Sequence, residues 1–166
     1  MNPRSRVPFA ACAAALLAAL AGCAGYDGRG LVPGQATGAE VEKVMGPSKD
    51  KRVGADGGTV LWFPRLPAGR VSYAARIGKD DRLIAVEQRL TKEYLEQLKP
   101  GVSRESDVRD VLGPPDRMDP YPRMQRDAWT YQAQGIEPQI IVVELSKDGV
   151  VRSASMFNDP AERTRR

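Results

Sequence analysis

The chain repeats itself, and the repeat limits its possible folds more than any other feature. Segment 31–47 reads LVPGQATGAEVEKVMGP and segment 98–114 reads LKPGVSRESDVRDVLGP. At a constant offset of 67 residues, Leu31, Pro33, Gly34, Val41, Val44, Gly46 and Pro47 fall on Leu98, Pro100, Gly101, Val108, Val111, Gly113 and Pro114. Trp62 falls on Trp129 at the same offset, and after one inserted residue Lys79-Asp80 falls on Lys147-Asp148. An ordered series of this kind marks a duplicated unit, so the expected architecture is one small module used twice.

The shared segment has a physical logic. Val41, Val44 and Met45 recur at i, i+3, i+4, as do Val108, Val111 and Leu112, which makes one apolar stripe on a short helix. Thr37 and Glu40 have the spacing of a capping box, and Ser103 or Ser106 is placed to cap the second copy. Gly46 and Gly113 stand where a left-handed C-terminal cap is wanted, and the prolines after them forbid continuation. Helices this short are unstable alone in water, so each must lie on a sheet. Strand-like runs follow at 59–63, 71–77 and 82–89, then at 127–133, 139–145 and 150–156. Lys147-Asp148-Gly149-Val150 predicts a tight hairpin with both central residues at positive φ, and Lys79-Asp80-Asp81-Arg82 is its weaker counterpart. Segment 91–98 (TKEYLEQL) predicts a further short helix with Tyr94, Leu95 and Leu98 on one side. The expected fold class is α+β: two tandem small modules, each a short helix or helix pair packed on a three-stranded antiparallel sheet.

The N-terminus carries a different kind of signal. Arg4 and Arg6 precede an apolar run of 14 residues, 7–20 (VPFAACAAALLAAL). Roughly 20 apolar residues are needed to cross a hydrocarbon core, so this run has the length of a signal-peptide h-region. It ends in Leu20-Ala21-Gly22-Cys23, which resembles the bacterial lipobox. The alternatives are an ordinary secretory signal with a chance cysteine, or an uncleaved anchor. The lipobox resemblance implies diacylglycerol on the Cys23 thiol, cleavage before Cys23 and acylation of the new amine. Ala24 stands where Asp would favour inner-membrane retention, which implies the outer membrane, inner leaflet, facing the periplasm. Anchoring by several acyl chains is effectively permanent, because a single chain binds only marginally. The expected organisation is a signal peptide at 1–22, a lipidated tether at 23–30, modules at 31–90 and 91–158, and a basic tail at 159–166.

Composition removes several chemistries. The two cysteines are Cys12, inside the signal, and Cys23, so the folded part has no thiol for a disulfide or a thiolate metal site. There is no histidine, which removes the commonest general base and metal ligand. The formal charge of +4 falls to +2 once Arg4 and Arg6 leave with the signal, too little for a nucleic-acid binder. Asp80, Asp81 and Asp148 read as hairpin-turn residues rather than a carboxylate cluster. Trp62 and Trp129 are either ligand-stacking platforms or, as repeat-equivalent strand residues, packing groups. The glycines at 54–58 lack the strand–loop–helix context of a phosphate cradle, and no local motif supports a Ser/Lys nucleophile pair. No metal, cofactor or catalytic residue is expected. The stretch containing Tyr121, Arg123, Met124 and Arg126 mixes arginine with an aromatic and a methionine. It is either a solvated loop or a contact with protein or anionic lipid, since interfaces are enriched in these residue types.

The second copy also carries family-like motifs. Leu90-Thr91, Leu98-Lys99-Pro100-Gly101, Asp107-Val108, Leu112-Gly113-Pro114-Pro115, Asp119-Pro120-Tyr121, Trp129-Thr130-Tyr131 and Lys147-Asp148-Gly149-Val150 follow one another in order. This resembles the SmpA/OmlA (BamE-like) family of outer-membrane lipoproteins over about residues 88–157; the first copy, about 31–90, keeps mainly the helix and Trp62. The resemblance implies a non-enzymatic, lipid-anchored periplasmic scaffold with a protein partner, of which the β-barrel assembly machinery is one candidate. Two departures limit it. Family members usually have one module, and their Gly-Asn-Tyr contact stretch reads Glu87-Gln88-Arg89 here. Tandem copies of this fold also occur in β-lactamase inhibitory proteins, so a periplasmic protein-binding or inhibitor module is the alternative function.

Overall fold

Two four-stranded antiparallel sheets carry the chain, with a helical segment between them. The computed structural model describes residues 25–54 and 56–163; the expected signal peptide, the expected lipidation residue Cys23 and the last residues of the expected basic tail lie outside the described residues. The first half contains α1 (Gly38–Met45), β1 (Asp50–Val53), β2 (Thr59–Pro64), β3 (Ser72–Ile77) and β4 (Leu83–Gln88). The second contains α2 (Lys92–Leu95), α3 (Glu105–Leu112), β5 (Arg117–Tyr121), a 3-10 turn (Pro122–Met124), β6 (Arg126–Gln134), β7 (Pro138–Ser146), β8 (Val151–Asn158) and α4 (Pro160–Arg163). Strands pair in chain order, β1-β2-β3-β4 and β5-β6-β7-β8. The fold class is α+β, but each sheet has four strands, not the expected three. The additional strands, DKRV in β1 and RMDPY in β5, are sheet edges without apolar alternation. Only an edge tolerates so polar a run, or a proline with no N–H to give, which is why periodicity does not mark them.

The helices sit as their stripes require. In the first module Val41 and Met45 are buried on the inner face of the sheet against Leu61, Phe63, Ala75, Ile77 and Leu83. In the second, Val108 and Leu112, with Leu90, Leu95 and Leu98, bury Trp129, Tyr131, Ile141, Val143 and Val151. Each such aliphatic side chain contributes roughly 1.5–3 kcal/mol, far more than the helices' own propensity supplies. The capping box forms at α1, where the Glu40 amide donates to Thr37 Oγ1 (3.3 Å) and the Thr37 amide donates to Glu40 Oε2 (2.8 Å). The second copy solves the same problem differently. Its cap is Arg104, whose amide donates to Asp107 Oδ2 (2.7 Å), while Ser103 Oγ accepts from the Lys99 amide (2.9 Å) and Ser106 lies inside the helix. Gly46 and Gly113 end the helices at positive φ, 86° and 82°, but with ψ of 178° and −162° they are extended and do not form the expected left-handed helical cap.

The two modules share most of their backbone hydrogen bonds around the last hairpin. The Gly34 amide donates to the Leu83 carbonyl (2.7 Å) as Gly101 does to Val151 (2.8 Å); Leu83 donates to Ala36 as Val151 does to Ser103, both at 2.8 Å. The hairpins place one left-handed residue each, Asp81 (φ 59°) and Gly149 (φ 76°), rather than two.

Within this match one register slips. Asp50 faces Trp62 across β1 and β2, whereas Arg117 faces Thr130 across β5 and β6, so the second hairpin is one residue longer. Trp62 accordingly pairs with Ala74, but Trp129 pairs with Val143, the counterpart of Ala75. A one-residue slip moves every side chain of a strand to the other face. Leu61 and Phe63 therefore take the inner face of the first module, where Trp129 and Tyr131 stand in the second, and Trp62 points outward.

That outward face is not solvent. Trp62 and Ala74 are fully buried, because the helical segment of the second module lies over them. A Cβ on Gly113 would collide with the Trp62 ring, and the Gly113 carbonyl accepts from the Tyr131 hydroxyl (3.2 Å) on its other side. The Arg89 guanidinium lies 4.3 Å over Tyr94 and 5.9 Å from Trp62, and pairs with Glu87 at 2.6 Å. Arg52 of β1 pairs with Asp110 of α3. The layers thus run α1, first sheet, α2 with α3, second sheet.

Residues 25–30 are not a free tether. The Gly28 amide donates to the Gly25 carbonyl (2.8 Å) and Leu31 to Gly28 (3.1 Å), while Tyr26 meets Tyr73 edge-on at 6.4 Å. Of the expected basic tail, Asp159 is tied by its amide to the Pro138 carbonyl (2.8 Å) and 160–163 form a short turn of helix.

Candidate interaction surface

The outer face of the second sheet lacks the cover that the first enjoys. Strand parity places Arg117, Asp119 and Tyr121 of β5, Arg126, Ala128 and Thr130 of β6, Ile140, Val142 and Glu144 of β7, and Ser153, Ser155 and Phe157 of β8 on this face. Thr130, Ile140 and Val142 are half-buried, and Phe157 is exposed. At the far end of this face stands the β5–β6 turn. Pro120 and Pro122 deprive the strand end of donors, and Gln125 closes the turn in the left-handed region (φ 53°), its amide donating to the Pro122 carbonyl at 3.2 Å. The turn holds Tyr121, 47% exposed, and Met124, 58% exposed, at its rim.

The four residues singled out from sequence therefore lie together on one hairpin, in three different situations. Tyr121 ends the edge strand beside Arg126. Arg126 is engaged by Glu144 (2.7 Å), which also accepts from Ser153 Oγ (2.9 Å). Arg123 is exposed and has no ion-pair partner among the described residues. Arg117 is paired with Asp119 (2.7 Å) and Lys147 with Asp127 (2.8 Å). Most charge here is neutralised internally, which leaves Tyr121, Met124 and Arg123 as the groups free to meet a partner, the residue types that anchor interfaces. Sequence reasoning missed Ile140, Val142 and Phe157, because alternation in β7 and β8 marks two faces without saying which is covered.

Other candidates resolve into structure. Asp81 Oδ1 accepts from the Gly38 amide at the start of α1 (3.2 Å), and Asp80 Oδ1 from the Arg82 amide (3.3 Å). The Asp148 carboxyl is held below its ordinary range by hydrogen bonding with Ser146. An open cleft of about 480 Å³ is lined by Gly38, Glu42, Lys51, Thr59 and Lys79, but its Glu42 and Lys51 pair with each other at 2.9 Å. Burial pushes the Tyr131 phenol far up, so it stays a neutral hydrogen-bond donor to Gly113. Among the described residues no group of three or more His, Cys, Asp or Glu could hold a metal ion, and no helix is long and apolar enough to cross a membrane.

No family model and no curated protein matches the chain. Among solved structures it is similar to a DUF4309 family protein, YjgB, from Bacillus subtilis subsp. subtilis str. 168, at 16% identity over 79% of this chain and 84% of that one, with a TM-score of 0.32. A likeness at that level fixes neither fold nor function.

Proposed function

We propose that this protein is a lipid-anchored periplasmic scaffold of the outer membrane, working by contact rather than catalysis, in the manner of the SmpA/OmlA (BamE-like) lipoproteins. Its service would be to outer-membrane β-barrel assembly or envelope integrity. The observation that supports this reading best is the open outer face of the second sheet, with Tyr121, Arg123 and Met124 at its rim, in a molecule whose equivalent first face is filled. The lipobox-like LAGC sequence, 20–23, supplies the anchor.

The test is co-purification from gently solubilised outer membranes with wild type, Tyr121→Ala and Met124→Asp. Barrel-assembly subunits that are recovered with wild type and lost with the variants support the proposal. A single periplasmic hydrolase or synthase as the retained prey would replace it with the inhibitor reading. Cys23→Ala should abolish lipid labelling and membrane fractionation; unchanged labelling would sink the anchor.

A further inference from the structure

We infer that the end of the molecule bearing Tyr26, the 65–70 loop and the Ile136 turn is a lipid-facing end, held against the phospholipid surface in which Cys23 is anchored. This rests on the lipidation reading above. The chain is already packed at its first described residues: a Cβ on Gly25 would lie 3.3 Å from Val44 Cγ1, and the Arg65 guanidinium sits 4.9 Å over the Tyr26 ring. Only two peptide steps, about 7 Å of chain, separate Cys23 from Gly25. An acyl anchor so close leaves the body little freedom to turn away from the membrane.

What stands at this end fits a lipid surface. The β2–β3 loop carries Leu66, Pro67 and Ala68, and a Cβ on its Gly69 would collide with the Tyr26 hydroxyl. Arg70 of the same loop donates to the Gln139 carbonyl (3.2 Å) and pairs with Asp159, so it ties this loop to the start of β7. The turn into β7 presents Ile136, with 107% relative exposure, the most exposed large apolar residue described. Both modules therefore turn an apolar tip toward the end where the chain enters. The opposite end carries Lys79-Asp80 and Lys147-Asp148, and strands of six and nine residues separate the two ends by roughly 20–30 Å. Near the entry Arg29 pairs with Asp27 (2.9 Å) and Arg70 with Asp159, the half-buried Arg65 donates to the Met45 carbonyl (2.9 Å), and Glu137 accepts from Asn158 Nδ2 (3.0 Å). Contact would thus be made by tyrosine and aliphatic groups at the headgroup boundary rather than by a polybasic patch.

The mature chain has no cysteine but Cys23, so an introduced one is a unique free thiol once Cys23 is acylated. Full-length lipidated protein carrying Ala68→Cys or Lys79→Cys would be labelled with a fluorophore and reconstituted into vesicles of phosphatidylethanolamine and phosphatidylglycerol with a headgroup-linked quencher. Quenching at 68 should exceed that at 79 several-fold, and adding Ile136→Asp should lower the signal at 68 without altering flotation. Equal quenching at both sites, in protein that floats and carries the acyl mass, overturns the orientation alone. Absence of acyl mass on Cys23 overturns the anchor and the orientation together.

Discussion

The outer faces of the two sheets share a topology and end in opposite situations. On the first, Trp62 and Ala74 are fully buried beneath the Gly113 corner of the following module. On the second, the corresponding Thr130 and Val142 are half-buried and Phe157 is 44% exposed. Two sheets present four faces to two helix layers, and since the middle layer covers two of them, one face is left open. The first copy's outer face is consumed in holding the molecule together, and the second copy's is left for the outside.

The largest expected effect breaks that covered face. Trp62→Ala should destabilise by about 3–5 kcal/mol, the range for deleting a buried aromatic. Thr130→Ala, at the corresponding position of the open face, should stay within about 0.5 kcal/mol. Urea titration followed by far-UV circular dichroism measures both, and equal losses would refute the difference between the faces.

Next come the two helix-ending glycines. Both lie in extended left-handed backbone, φ 86° and ψ 178° at Gly46, φ 82° and ψ −162° at Gly113. Alanine there costs about 1–3 kcal/mol from backbone strain alone. A Cβ on Gly46 meets nothing within 4 Å. On Gly113 it collides with Trp62, which adds about 1–3 kcal/mol of overpacking. Gly113→Ala should therefore be the worse of the pair in the same titration, and in a Trp62→Ala background the gap should close.

The smallest effect separates the modules by pH. In the first, Glu42 is pulled from the ordinary 4.5 to about 2, chiefly by its hydrogen bond from Lys51 and then by Ser48. In the second, the same position is Arg109, lying 4.6 Å over Trp129. A lowered carboxylate contributes stability that is complete above its unfolded pKa and lost as pH falls through the folded one. Stability should therefore decline between about pH 4.5 and pH 2 through this group, and Glu42→Gln should flatten that part of the profile. The pH dependence of the thermal midpoint reports it; an identical slope in the variant removes Glu42 from the account.

Several parts of this architecture were legible beforehand for a physical reason. Val41 and Met45, Thr37 with Glu40, and Gly46 and Gly113 are local devices, whose spacing carries their role. The edge strands β1 and β5 were not legible, since an unpaired edge favours charge and proline over alternation. Ser103, a natural cap by type, sits one residue too early and instead satisfies the Lys99 amide. The segment at 25–30 reads as a glycine-rich tether, and it is its contacts with residues such as Val44, Arg65 and Tyr73 that attach it to the body. The Tyr121–Arg126 stretch was found from composition, but its setting as a hairpin on an open sheet was not.

The sequence by itself determined the duplication, the α+β class and which stripe of each helix turns inward, because those follow from spacing along the chain. Trp62 and Trp129 look equivalent on the same evidence. Tertiary structure decided otherwise: one residue of difference in a hairpin reverses strand parity, and the reversed tryptophan is buried under the helical segment of the other module, with Gly113 close against its ring. Contacts between segments far apart in the chain leave no period to read.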